Sequence, residues 1–598
     1  MTRIRPALAF APCLLLAACA SAPHADRSTL ATVPIGTLQA AAGAAAPVRV
    51  AGVVTAALPG ADGQPGWLLQ DAGDGDATTS DAIWVLGPAA AALTPGQTVE
   101  VAGSVRRAAL PVGGKGGAGK GNADTLLAID AAQVEPLRSR ALDKRLRALT
   151  PSVVSAAPDW RALAGMRVRI AAPLTLADRD RERGTVEAAF DGPLWQPGER
   201  AAPGSEAARA VAADNLRRRL TLSGDALGEA AYAARSGSRL DALQGIALPR
   251  NGRPGLRLER APQLQAAPRP QQPPRVDGSL RIAAFNLENL FNGDGRSGGF
   301  PTPRGARSEA EFHAQLAKLV ETIHAMNPDV AALMELENDG YGPDSTLAQL
   351  VSALDRADAA DGGAQDWRYA APCRQPCAAA MRGPGGDLIR VGLIYRGQRV
   401  AARGLAATLT QGPFGTHSRV PMAQAFQALG AGGRRGPAFV VAANHFKSKG
   451  CRDAEGGDRD QGDGAACWNA LRSDSARRLD AWLKTDPTRS GGQLTMIVGD
   501  LNAYAQEQPL RELYATGWQD AFAAAKVAAP YSYVYDGELG RLDHALLSPA
   551  LAATLRGAAE WHTNADEPES AGYRAGGAGP WRSSDHDPVL LGFDLMPR

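Results

Sequence analysis

After Leu280 the chain passes through strand-like runs that each meet a residue able to bind a cation or move a proton. LRIAAF runs into Asn286, DVAALM into Glu335, FVVAA into Asn444 and His445, and LTMIVG into Asp500. RLDHALL carries Asp543, and SDHDPVLLGF sets Asp585 and His586 just before a strand. Helix-like segments alternate with these runs. One Asp after a strand is ordinarily a turn former or helix cap. Six such positions point elsewhere, because rigid sheets hold functional groups at strand ends and in adjoining loops. Gathered in one cleft, Glu335, Asp500, Asp543 and Asp585 would repel each other unless a cation or protons neutralised them. An oxygen-rich set favours Mg²⁺ or Mn²⁺, with Ca²⁺ as a third candidate, over zinc. Such an ion also suits an anionic phosphodiester substrate.

Longer motifs surround these residues: NLENLF (286–291), LMELEN (333–338), NHFKSKG (444–450), GDLNAY (499–504), GRLDHALLS (540–548), WHTNADEP (561–568) and RSSDHDPV (582–589). Their content and order resemble the bacterial extracellular nuclease branch of the endonuclease/exonuclease/phosphatase superfamily, whose core is similar to that of pancreatic-type deoxyribonuclease. The resemblance covers about residues 279–598. It implies an α/β fold, a four-layer sandwich of two packed mixed β-sheets flanked by helices. It further implies a divalent-metal-dependent phosphodiesterase, acting as endonuclease or exonuclease on DNA, with RNA as a second candidate substrate. By the same resemblance Glu335 and Asn286 hold the metal, with Asp585 as a further ligand. Asp500 and Asn502 align the attacking water, His586 oriented by Asp543 completes the acid–base apparatus, and His445 binds phosphate or assists the leaving oxygen. Arg419, in SRVPMAQAF, matches a phosphate-contacting Arg. Lys447 and Lys449 are further candidate phosphate contacts. A lipid-headgroup phosphodiesterase of sphingomyelinase type is the alternative on the same core.

The chain before the catalytic half is modular. Arg3 and Arg5, the apolar run Ala7–Ala18 and small residues after it form a signal peptide over 1–19, too short to span a bilayer. Leu16-Ala17-Ala18-Cys19 resembles the lipobox of bacterial lipoproteins. This implies acylation at Cys19 and, with Ala20 following, an outer-membrane anchor in an exported protein. Residues 20–45 read as a flexible tether. Short β-type runs broken by Gly-rich turns over 46–137 suggest a small all-β barrel or sandwich. It resembles the OB-fold modules that precede the catalytic domain in those nucleases. Residues 138–265 read as a second β-rich linker module, in which the basic run NLRRR (215–219) reads as a solvated face. The Pro-rich segment at 266–278 reads as an extended linker.

Of the six Cys, Cys13 leaves with the signal and Cys19 is the acylation site. The remaining four, in an exported chain, predict local disulfides Cys373–Cys377 and Cys451–Cys467. Their spacing does not suit zinc. The loop between Cys451 and Cys467 holds Asp453, Asp458, Asp460 and Asp463 and reads as a solvated acidic loop rather than a Ca²⁺ site. A net charge of +2 excludes passive polyanion coating, so any nucleic-acid contact must be local. No obligate protein partner is evident.

Overall fold

The computed structural model describes residues 30–39, 46–60, 63–111, 124–293, 299–377, 381–430 and 434–595. The signal segment and Cys19 lie outside the described residues. Among those described, no helix is long and apolar enough to cross a membrane.

Two compact units are present, the first extending to Thr150 with Arg161–Met166 added. Its strands Val48–Ala57, Gly66–Gln70, Ala82–Leu86, Thr98–Ala109 and Thr125–Pro136 form a closed barrel. Closure follows from Val48–Ala57 pairing antiparallel with both the second and the fourth strand, which leaves no open edge. Val50, Val54, Leu69, Ile83, Val101 and Ile129 fill it. Trp84 belongs to the unit's buried core, its indole N–H donating to the Leu58 carbonyl at 2.6 Å. Trp67 is half-buried.

The second unit holds everything from Arg167 onward, with Pro151–Trp160. Its amino-terminal part is a nine-stranded sheet built largely of strands of three to five residues. The longest, Leu174–Asp180, forms a hairpin with Thr185–Ala189. NLRRR is a solvated face only in part: Leu216 and Arg217 are exposed, whereas Asn215 and Arg219 at its ends are buried. Asn215 donates to the Trp195 carbonyl, and the buried Arg219 pairs with Glu538 at 2.7 Å. A charge from more than three hundred residues later makes that burial tolerable.

The catalytic half contains two six-stranded sheets. The first runs Trp367–Tyr369, Ile389–Arg396, Val330–Glu337, Leu280–Leu290, Val589–Phe593, Leu555–Glu560. The second runs Val400–Thr408, Met422–Leu429, Arg435–His445, Thr495–Asp500, Asp543–Leu547, Gln519–Asp520. Strand alternation explains the layering. Met496, Val498, Ala545 and Leu547 join one core with Phe285, Leu333 and Leu393 of the first sheet and Leu319 and Leu350 of its helices. Ile497 and Leu546 point the other way, onto Ala476 and Leu479 of helix Asn469–Lys484. Helix, sheet, sheet and helix stack in four layers, as the sequence implied. Both faces of the central strands are covered, which is why they read as unbroken apolar runs.

The Pro-rich segment is fastened to this half. Arg269 pairs with Glu567 at 2.7 Å and the Pro270 carbonyl accepts from the Trp561 indole, while the Pro268 carbonyl accepts from Arg235 of the amino-terminal sheet region. Both predicted disulfides are formed.

Candidate active site

Strand register assembles the second sheet's contribution. Arg435–His445 pairs parallel with Thr495–Asp500, setting His445 beside Asp500. Thr495–Asp500 pairs antiparallel with Asp543–Leu547, setting Asp500 beside Asp543. Gly499 permits the close approach, since its φ is +126° and a Cβ there would lie 2.2 Å from the Asn444 carbonyl oxygen. In the first sheet Asn286 pairs with Met334, one residue before Glu335. Glu335 adopts φ +63°, Glu288 +52° and Asn502 +47°. Left-handed backbone at non-glycine residues costs energy and tends to mark functional sites. Here it coincides with a break in strand register between Leu333 and Leu336 and another between Asn286 and Leu290.

The two groups of residues meet. Asn286 Nδ2 donates to Asp500 Oδ2 at 3.2 Å, and His445 Nε2 lies 3.3 Å from the same oxygen and 3.8 Å from Glu335 Oε1. Asn502 N–H donates to Asp500 Oδ1 at 2.9 Å. His586 Nδ1 is 2.6 Å from Asp543 Oδ2, which also accepts from the Ser532 hydroxyl at 2.8 Å. The structure therefore brings Asn286, Glu335, His445, Asp500, Asn502, Asp543 and His586 together, with Asp585 next to His586.

Burial, with the charge of Asp543 adding and that of His586 opposing, pushes the Asp500 carboxyl up to about 7. Burial would depress His586, but the charges of Asp543 and Asp585 outweigh it and hold the imidazole well above its ordinary value. Burial, helped by the Arg419 guanidinium, holds His445 well below its ordinary value, so this ring is neutral. Burial and then the charge of Asp585 raise Glu335.

Arg419 donates to the Phe446 carbonyl at 3.0 Å, lies 3.2 Å from His445 Nε2 and pairs with Asp387 at 3.0 Å. Lys447 lies over the Trp468 ring at 5.2 Å. Lys449 is drawn away from the site. Its ammonium donates to the Ala465 carbonyl and to the fully buried Glu507 at 2.5 Å, an internal ion pair that spends the cation on the core. In the acidic loop Asp458, Asp460 and Asp463 accept backbone N–H groups of Leu471, Gly462 and Ala465.

Other site residues went unassigned in the sequence. Glu288, two positions after Asn286, pairs with Arg582 at 3.1 Å, and burial followed by the charge of Asp585 pushes its carboxyl up to about 7. The Tyr533 ring lies 4.6 Å from that of His586. Asn564 donates to the His586 carbonyl at 2.7 Å, and Ser584 to the Asn286 carbonyl at 2.6 Å. Glu288, Asn564 and Ser584 lie inside the quoted motifs, so proximity to an assigned residue was the available signal. Nothing local marks Tyr533.

Among the described residues no three His, Cys, Asp or Glu side chains form a group able to hold a metal ion. The donor chemistry nonetheless suits a hard cation. Glu335, Glu288 and Asp585 penalise each other's charge, Asn286 supplies a neutral oxygen beside them, and a divalent ion would relieve the repulsion.

Residues 283–586, half of the chain, match the model of the Endonuclease/Exonuclease/phosphatase family. No curated protein matches the chain. Similar solved structures include an endonuclease/exonuclease/phosphatase family protein from Bacteroides thetaiotaomicron, 13% identical with a TM-score of 0.32, the match covering 52% of this chain and 96% of that one. The human Nocturnin catalytic domain with bound sulfate anion is 17% identical with a TM-score of 0.33, covering 53% and 94%. A mannosyl-6-phosphatase from Bacteroides thetaiotaomicron is 13% identical with a TM-score of 0.33, covering 52% and 98%.

Proposed function

This chain belongs to the endonuclease/exonuclease/phosphatase family, and from that premise we propose that it is an exported nuclease that hydrolyses phosphodiester bonds of DNA by in-line attack of water. The observation that carries the reading is the pair of environments around Asp500 and His586, a carboxyl raised to about 7 beside an imidazolium held by Asp543. Environments that push two titrating groups apart define an acid and a base. Asp500 takes the proton of the attacking water, with Asn502 fixing its carboxylate. Asp543 occupies Nδ1 of His586, which leaves Nε2 to donate to a phosphoryl or leaving oxygen. His445, neutral and 2% exposed, accepts from Arg419 at Nε2 and lies 3.3 Å from Asp500, where it binds phosphate or assists the leaving oxygen. Arg419 sits behind His445, where its charge favours a bound phosphate.

Glu335, Asn286 and Asp585 would hold Mg²⁺ or Mn²⁺, which when bound neutralises charge on the phosphoryl oxygens and polarises the phosphorus. Export rests on the signal and lipobox sequence, with Cys19 as the outer-membrane anchor. The barrel is read as an OB-type module, and the chain as a member of the bacterial extracellular branch.

Plasmid nicking in Mg²⁺, Mn²⁺ or Ca²⁺, with and without chelator, beside phosphocholine release from sphingomyelin, tests the proposal. Chelator-sensitive nicking restored by metal is expected. Phosphocholine release with intact plasmid would replace the nuclease reading by the lipid-headgroup one.

A further inference from the structure

The cleft that opens above the site has a volume of about 750 Å³, and its floor includes Glu288, Arg582 and Asp585. One of its walls does not come from the catalytic half. Arg179 from strand Leu174–Asp180 and Arg181 from the turn that joins it to Thr185–Ala189, Tyr232 from helix Gly228–Ala233, and Ser236 face it from the amino-terminal sheet. That wall is fixed in place. Arg179 donates to the Ser236 hydroxyl at 3.0 Å and across to the Asp566 carbonyl at 2.8 Å. Ser236 N–H reaches the same carbonyl at 2.8 Å, and Arg235 binds the Asp566 carboxylate at 2.7 Å. Arg179 is consumed by this stitching, whereas Arg181 is not. Its guanidinium lies 5.2 Å from the Tyr232 ring centroid, and its partner Glu229 is even more exposed than it is. That pair is bidentate but exposed on both sides, so salt screens it and a phosphate gains the Arg by competing with Glu229. Arg574, over the Tyr573 ring at 5.1 Å, lines the cleft from the catalytic side.

A phosphate group alone leaves most of such a cleft empty, since pockets of this size take whole drug-sized ligands. We infer that the amino-terminal sheet is a substrate-binding wall, in which Arg181 and Tyr232 hold the polynucleotide segment beyond the scissile phosphate, the Arg on a neighbouring phosphate and the ring against a base. This rests on the nuclease reading. An Arg–phosphate contact is salt-sensitive, and a base–aromatic stack tolerates sequence.

The test compares Arg181→Ala, Arg181→Glu and Tyr232→Ala with wild type on a single-stranded DNA octamer and on the p-nitrophenyl ester of thymidine 5′-monophosphate. For each variant kcat/KM on the octamer should fall about tenfold further than on the small ester, through KM. Arg181→Ala should also lower the salt slope of octamer binding by about one. Equal losses on both substrates, or none on the octamer, overturn the inference while wild-type octamer cleavage leaves the nuclease reading standing. Wild-type turnover of the small ester with neither octamer cleavage nor plasmid nicking ends both. The exposed Arg181 variants decide the matter if Tyr232→Ala unfolds.

Discussion

Asp500 and Asp543 stand directly opposite one another on adjacent antiparallel strands, two carboxylates on one patch of buried sheet. Their neighbours make them different. Asp543 accepts from Ser532 and lies against His586. Asp500 accepts from Asn502 N–H and the Asn286 amide. One carboxylate is spent on orienting an imidazole. The other is left at about 7, where it exchanges protons at neutral pH.

Asp543→Asn keeps the size of the side chain and removes the charge that holds His586 protonated. We expect kcat to fall roughly 10²–10⁴-fold, the span of a general acid–base contribution, with KM nearly constant. Steady-state kinetics on the thymidine p-nitrophenyl ester measures it. A fall of less than tenfold would mean that His586 does not act through Asp543.

Asp500→Ala removes the proposed proton acceptor without touching the His586–Asp543 pair. Turnover should drop at least about a hundredfold while near-UV circular dichroism stays native. Near wild-type turnover from that folded protein would remove Asp500 from the mechanism.

The residues at strand ends were legible because doubly covered strands are continuously apolar, so the first polar residue after each run stands out. Which of them face one another was not. The alignment of His445, Asp500 and Asp543 depends on one parallel and one antiparallel pairing, and register is a long-range property. Lys449 looked like a phosphate contact because its partner, Glu507, lies 58 residues away. Arg219 looked solvated because Glu538 is farther still. The nine-stranded sheet was hardest to read, since its strands are short, carry charges, and include parallel pairs such as Thr221 with Gly255.

Glu199 and Arg541, 8% and 6% exposed, pair at 2.9 Å between the amino-terminal sheet region and the catalytic half. Arg541→Ala strands a buried carboxylate that also accepts N–H groups from Ala505 and Arg541. A loss of about 3–5 kcal/mol is expected, read as a lower urea midpoint by tryptophan fluorescence. The double change Glu199→Gln with Arg541→Met should recover only the part due to Glu199, because Asp520, which Arg541 also pairs with at 2.9 Å, still loses its partner. Equal midpoints for Arg541→Ala and wild type would show that the ion pair does not hold the halves together.

His562 carries a pH dependence of stability apart from catalysis. Its Nδ1 lies 2.8 Å from Asp587, and its ring stacks on Tyr531 at 4.0 Å. Burial lowers its proton affinity, but the hydrogen bond to Asp587 and the charges of Asp587 and Asp566 outweigh that and the opposing Arg235, so the folded value lies above 6.5. The folded state then binds this proton more tightly than the unfolded chain does. The associated stabilisation is complete below about pH 6.5 and disappears as pH rises through the folded value. His562→Gln removes the titration and leaves a neutral polar side chain in the same place. The difference in Tm between wild type and His562→Gln should therefore shrink steadily as pH is raised from about 6 upward, with titrations common to both proteins cancelling. A difference that stays constant over that interval would show that His562 does not gain its proton affinity on folding.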